Sequence, residues 1–89
     1  MAEITKKVYA QYFDKILKGE KTYEVRLADF NVAPGDTLLL LEIDEARKFT
    51  GRELRVEVTY AFNTKSMEAW HPKEEIEKYG LCVMSIRRC

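Results

Sequence analysis

The spacing of apolar and polar positions changes several times along the chain, and each change marks an element. Residues 3–8, EITKKV, read as a short first strand. From Tyr9 the period becomes helical. Tyr9, Tyr12, Phe13, Ile16 and Leu17 fall at i, i+3, i+4, i+7 and i+8, one face of an amphipathic helix, with Lys15 and Lys18 outside the stripe. Gly19 follows as a left-handed stop. Residues 22–27 alternate, with Tyr23, Val25 and Leu27 on one face and Thr22, Glu24 and Arg26 on the other, the pattern of a half-buried strand. Pro34-Gly35-Asp36 signals a turn. Residues 37–43, TLLLLEI, form a short apolar run that predicts a central strand covered on both faces. A loop over 44–51 holds Glu45, Arg47, Lys48 and a Thr-Gly turn. Alternation resumes over 52–60, where Leu54, Val56, Val58 and Tyr60 oppose Glu53, Arg55, Glu57 and Thr59, and a hairpin with the preceding strand follows. Residues 66–79 are helical in pieces: Pro72 suits the first position of a short helix, Glu74 and Glu75 its first turn, and Gly80 its end. Residues 81–88, LCVMSIRR, predict a closing strand.

This order, strand, helix, three strands, short helix, strand, predicts an α+β fold with an antiparallel or mixed sheet. About five strands in so few residues are most economically arranged as a small closed or partly closed barrel, which also removes exposed strand edges. A chain of 89 residues holds one core, so residues 1–89 are expected to form one domain. No internal repeat or linker interrupts them. No apolar run exceeds four residues, against the roughly 20 needed for a membrane-spanning helix. The opening MAEITKKVYA has no apolar stretch of a secretory leader, so a cytoplasmic location is expected. The 15 basic and 15 acidic residues cancel, which argues against broad nonspecific nucleic-acid binding and leaves room for a local basic site.

Few residue types are available for chemistry. His71 is the only histidine and no Cys-x-x-Cys occurs, so no metal site and no cofactor is expected. Phosphate loops of the common nucleotide-binding kinds are absent. His71 adjoins Pro72 at a helix start, where capping or exposure is commoner than catalysis. Cys82 and Cys89, on one extended strand, would lie roughly 23 Å apart at about 3.3 Å per residue, too far to pair. Cys82 is expected to be a small buried hydrophobe and Cys89 a free thiol.

The segment Gly19-Glu20-Lys21-Thr22-Tyr23-Glu24-Val25-Arg26 is the most informative. The chain turns at Gly19, Lys21 stands at the mouth of the next strand, and Glu24 and Arg26 leave that strand on one face. Arg26 can hold a phosphate or a base edge with its forked donors. Glu24 can accept from a base amino group or act as a general base. Lys21 can meet phosphate, or act as a base if burial lowers its pKa. The competing reading is a charged strand face with Glu24 and Arg26 paired in solvent. Lys48, Arg52 and Arg55, near one hairpin, either extend a basic rim or form a solvated face. Tyr9, Tyr12 and Phe13 can offer a stacking surface, although aromatic residues at helical spacing are more often core. Trp70 reads as an anchor for the short helix or as a lid, and Arg87 and Arg88 as phosphate contacts or a solubilising tail.

The pattern G-x-K-x-x-E-x-R, here Gly19, Lys21, Glu24 and Arg26, directly after an amphipathic helix, resembles the ASCH domain of the PUA-like superfamily, and is most similar to its small single-domain members of unknown function. Later features agree: Phe30 with Pro34-Gly35-Asp36 and an apolar strand, Thr50-Gly51-Arg52 before a strand ending in Val58-Thr59-Tyr60, and Tyr79-Gly80-Leu81 before the closing strand. The resemblance covers nearly the whole chain. It implies a small β-barrel with a cleft between barrel and helices, and RNA or a nucleoside or nucleotide as ligand. With the basic rim read above, the expected ligand-binding residues are Lys21, Glu24, Arg26, Lys48 and Arg52. It also implies an enzymatic alternative. One branch hydrolyses the amide of acetylated cytidine, and other members are ribonucleases. That branch's catalytic lysine corresponds to Lys21. The position of its catalytic threonine holds Glu24 here, with Thr22 nearby on another register; its catalytic glutamate lies in a later region with no fixed counterpart here, for which Glu74 and Glu75 are the candidates. An enzyme would therefore use Lys21 and Glu24. A protein-interaction or regulatory module is the third reading, for which an exposed apolar patch would speak.

Overall fold

The computed structural model describes residues 1–67, 73–78 and 80–89. The described chain runs β1 (Glu3–Tyr9), α1 (Ala10–Leu17), β2 (Tyr23–Leu27), β3 (Thr37–Ile43), β4 (Phe49–Asn63), a 3-10 turn (Thr64–Met67), α2 (Lys73–Lys78) and β5 (Leu81–Arg88). The helix after β1 stops where the sequence places its stop: Gly19 has φ 78° and donates its N–H to the Ile16 carbonyl at 3.0 Å. Trp70, His71, Pro72 and Tyr79 lie outside the described residues.

The strands form one mixed sheet in the order β1-β3-β4-β5-β2, with β1 parallel to β3 and the other neighbours antiparallel. The sheet curls into a half-barrel, with β1 and β2 as its two edges. β3 is central, as its apolar run predicts, and buries Leu38 and Leu40 completely, while Leu39 and Leu41 are half-buried on its other side. Val8, Phe13, Ile16, Val56, Val58, Cys82, Met84 and Ile86 complete the core. At about 25 cal/mol per Å² of apolar surface removed from water, this cluster is the main stabilising term. Among the described residues, no helix is long and apolar enough to cross a membrane.

Three details depart from the sequence pattern. β4 begins at Phe49, so part of the expected 44–51 loop is strand and the turn tightens to Asp44–Lys48. There the Asp44 N–H donates to the Lys48 carbonyl at 2.9 Å, and the Arg47 N–H to the Asp44 carbonyl at 2.8 Å. Tyr60 continues the buried series Leu54, Val56, Val58 on paper, yet it is 61% exposed. The pairing of β4 with β5 shifts between Val58 and Tyr60, and a one-residue bulge sends every later side chain to the opposite face.

The third departure shapes the site. β2 turns its polar face inward: Glu24 is 4% exposed, whereas Tyr23, Val25 and Leu27 are 54%, 46% and 50% exposed. The register with β5 explains it. Glu24 stands opposite Met84 and Arg26 opposite Cys82, and both β5 partners are buried, so the polar residues share the inner face. On the outside, Val25 faces Val83, which faces Phe62, and Leu27 faces Leu81, giving an exposed apolar face over β2, β5 and β4.

Candidate functional site

The two edge strands do not pair, and the gap between them is the site. Thr22 accepts from the Ile86 N–H at 3.0 Å and Ala28 donates to the Gly80 carbonyl at 3.4 Å, so even-numbered β2 residues direct their backbone groups to β5 and odd-numbered ones to the open edge. A side chain spans the opening: Arg26 Nη2 donates to the Lys7 carbonyl on β1 at 2.7 Å. Arg26 Nε donates to Glu24 Oε2 at 2.9 Å. The other Glu24 oxygen, Oε1, accepts from Lys21 Nζ at 2.5 Å, and Lys21 also donates to the Tyr23 carbonyl at 2.7 Å. Lys21 precedes β2 and is free of its pleat, which is how a residue of the opposite parity reaches Glu24. Lys21, Glu24 and Arg26 are thus brought together, with one buried carboxylate shared between two cations.

Above this floor lies a cavity of about 440 Å³, lined by Lys7, Val8 and Tyr9 of β1, Tyr12 of α1, Lys21, residues 23–26, Ile43 of β3 and Arg47 of the β3–β4 turn. Three of its walls are tyrosines. Tyr9 and Tyr12 are 40% and 44% exposed, so they are not core, whereas Phe13, which shares their helical stripe, is buried at 2%. Tyr9 leaves the stripe because it ends β1 and α1 begins only at Ala10, while Tyr12 lines the cavity from within α1. Lys21 Nζ lies 4.7 Å from the centre of the Tyr23 ring. Arg47 is the lining residue that the sequence reading placed only in a loop. Its signal is a positive φ of 65°, uncommon for a residue with a side chain, and visible only in the folded turn.

Lys48 and Arg52 are placed elsewhere. Lys48 is exposed on the same turn, its N–H donating to Asp44 Oδ1 at 3.0 Å, and it does not line this cavity. Arg52 is a strut. Its Nε donates to Glu42 Oε1 at 2.9 Å, its Nη2 to Glu42 Oε2 at 2.5 Å and to Asp14 Oδ1 at 2.7 Å, and its guanidinium stands 5.0 Å from the centre of the Phe13 ring. It ties α1, which carries Tyr12, to β3. The Arg52 bonds, with one from the Thr50 hydroxyl, hold the buried Glu42 carboxyl below its usual range, and Glu42 and Asp14 hold Arg52 above its own. Arg55 pairs with Glu3 and Arg87 with Glu57, and Arg88 Nη1 donates to the Leu17 carbonyl at 3.4 Å. Glu74 is exposed on α2 and does not line the cavity, and the side chain of Glu75 lies outside the described ones. Among the described residues, no group of three or more His, Cys, Asp or Glu is arranged to hold a metal ion.

The half-barrel sheet with a helix after its first strand is an ASCH-like fold. The structure is similar to two solved ones: the hypothetical protein PH0355 (TM-score 0.63, 21% identity, all of both chains) and a point mutant of the ASCH protein ZmASCH from Zymomonas mobilis (TM-score 0.62, 10% identity, 96% of this chain and 68% of that one). At those identities the likeness is one of fold. A family model described as a domain of unknown function, DUF3850, matches residues 5–86, and the chain belongs to that family. An uncharacterised 12.9 kDa protein from Escherichia phage P2 is 43% identical over 53 residues, 60% of this chain and 48% of that protein, so the chain spans about half the length of this curated relative.

Proposed function

We propose that the slot between β1 and β2 binds a nucleobase-bearing ligand, RNA or a modified nucleoside, in a cytoplasmic PUA-like barrel. The observation that carries this is the chemistry of one cavity: three partly exposed tyrosines, suited to stacking on a flat ring, beside cations suited to a sugar-phosphate. Its volume falls in the range of small-molecule sites, about 300–1,000 Å³. The fold shared with an ASCH protein supports the same ligand class. Glu24 acts here through position, because both its oxygens are engaged and it holds Lys21 and Arg26 at the floor. Each Glu24 oxygen already accepts from a cation, which favours a positioning role for Glu24 in a binding site over a general-base role in a hydrolase using Lys21 and Glu24.

Titration of isotope-labelled protein with single-stranded RNA, a hairpin RNA and acetylated cytidine tests the reading by NMR. Shifts clustered at residues 7–12, 21–26 and 43–47 are expected, and free acetate accumulating with the nucleoside would move the assignment to the hydrolase. No shift with any of the three would overturn it. A second reading, a protein-interaction module, is favoured by the exposed face of Tyr23, Val25, Leu27, Tyr60, Phe62 and Leu81. It would be preferred if RNA and nucleoside leave the slot silent while Val25→Lys changes the protein's association state.

A further inference from the structure

We infer that Lys7 and Arg47 form a phosphate clamp at the rim of the slot, so that its ligand is a nucleoside phosphate rather than a bare nucleoside. This rests on the nucleobase-binding reading above and adds the ligand's charged group. Four cations line the cavity: Lys7, Lys21, Arg26 and Arg47. Two are engaged by Glu24. Lys7 and Arg47 are exposed, and their side chains make no hydrogen bond or ion pair among the described residues. They reach the cavity from different elements, Lys7 from the edge strand β1 and Arg47 from the β3–β4 turn, with Tyr9 and Tyr12 lining the same space. Two unengaged cations on the rim of an aromatic slot form a site for a doubly charged group attached to a flat ring.

The turn adds an independent observation. Arg47 sits at φ 65°, where glycine or asparagine is the comfortable residue, and its N–H closes the turn onto Asp44. Residues held in this region cluster at ligand-binding sites. An adjoining groove shares Tyr9, Tyr12 and Ile43 with the cavity and carries Asp44 and Glu45, which disfavour an anion there.

The phosphate can belong to a free mononucleotide or to an RNA chain, and the arms of the experiment separate these. Affinities of the intact protein for the four ribonucleosides, their 5′- and 3′-monophosphates, and a short single-stranded RNA with and without a 5′-phosphate are measured by calorimetry in wild type, Arg47→Gly, Lys7→Gln and Tyr12→Ala. At least one monophosphate is expected to bind about tenfold or more tightly than its nucleoside, the size of one charge-assisted contact. Arg47→Gly and Lys7→Gln should each remove most of that advantage, so that monophosphate and nucleoside bind nearly alike in each variant. Thermal melts separate this from unfolding, since glycine suits the backbone at 47 and Arg47→Gly should melt no lower than wild type. An RNA bound more tightly than any mononucleotide identifies the chain as the source; the reverse identifies the free nucleotide. The clamp is overturned if nucleosides and monophosphates bind alike, or if the two variants leave the difference intact; the base-binding reading survives that outcome provided Tyr12→Ala weakens both. If no probe binds wild type, both fall.

Discussion

The Glu24 carboxylate holds the slot together, and removing it is the sharpest test of the structure. Glu24 is 4% exposed and accepts from Lys21 at 2.5 Å and Arg26 at 2.9 Å, and Arg26 spans the gap to the Lys7 carbonyl. A hydrogen bond to a charged group is worth about 1.5–3 kcal/mol net, and breaking a buried pair from one side costs about 3–5 kcal/mol because it strands the other charge. Here two cations are stranded, but the Lys21 and Arg26 side chains are 14% and 26% exposed and regain some water. Glu24→Ala is therefore expected near the low end, about 3 kcal/mol. For a domain of this size that is a fall in melting temperature of roughly 12–24 °C. Glu24→Gln should fall between, since its amide oxygen accepts from one cation while its NH₂ confronts the other. Urea denaturation followed by circular dichroism gives both values. A loss below about 1 kcal/mol for Glu24→Ala would refute the reasoning and mean that Lys21 and Arg26 are held by water as well as by the carboxylate.

The core, the buried acids and the two thiols give further tests. Leu40→Ala, at a fully buried site of the central strand, should cost about 2–5 kcal/mol with unchanged far-ultraviolet dichroism, read by urea denaturation. Acid should destabilise the fold through Asp36 and Glu42. Backbone N–H donation from Ala2 and Ala33 lowers the Asp36 pKa, and Arg52 and Thr50 lower that of Glu42, so their stabilisation is complete above the ordinary values of 3.8 and 4.5 and is lost as pH falls through the depressed folded ones. Urea midpoints from about pH 6 to about pH 2 should fall in that window, and Asp36→Asn should flatten part of the slope. Native protein should react with a thiol reagent at one cysteine, the exposed Cys89, and at two after unfolding, because Cys82 is buried and burial pushes its thiol pKa up.

Period and punctuation in the sequence determined much of this molecule. The helix Ala10–Leu17, the stop at Gly19, the apolar run 37–43 and the closing strand 81–88 are all local patterns, and local sterics and hydrogen bonding suffice to produce them. The segment Gly19 to Arg26 stands out by its charge and spacing, and the fold joins Lys21, Glu24 and Arg26 in one hydrogen-bonded group. Which face of β2 points inward was decided by pairing: only the register that sets Glu24 against Met84 buries the carboxylate and leaves Val25 outside. The same holds for Tyr60, turned out by a bulge that alternation does not announce, and for Arg52, whose partners Glu42 and Asp14 are distant in sequence. Arg47 joins Lys7 and Tyr12 only because parallel pairing of β1 with β3 sets Tyr9 beside Ile43, at the start of the turn. Elements follow from short-range chemistry. The slot follows from contacts between residues far apart in the chain, and those exist only once the sheet has curled and left its two edges facing each other.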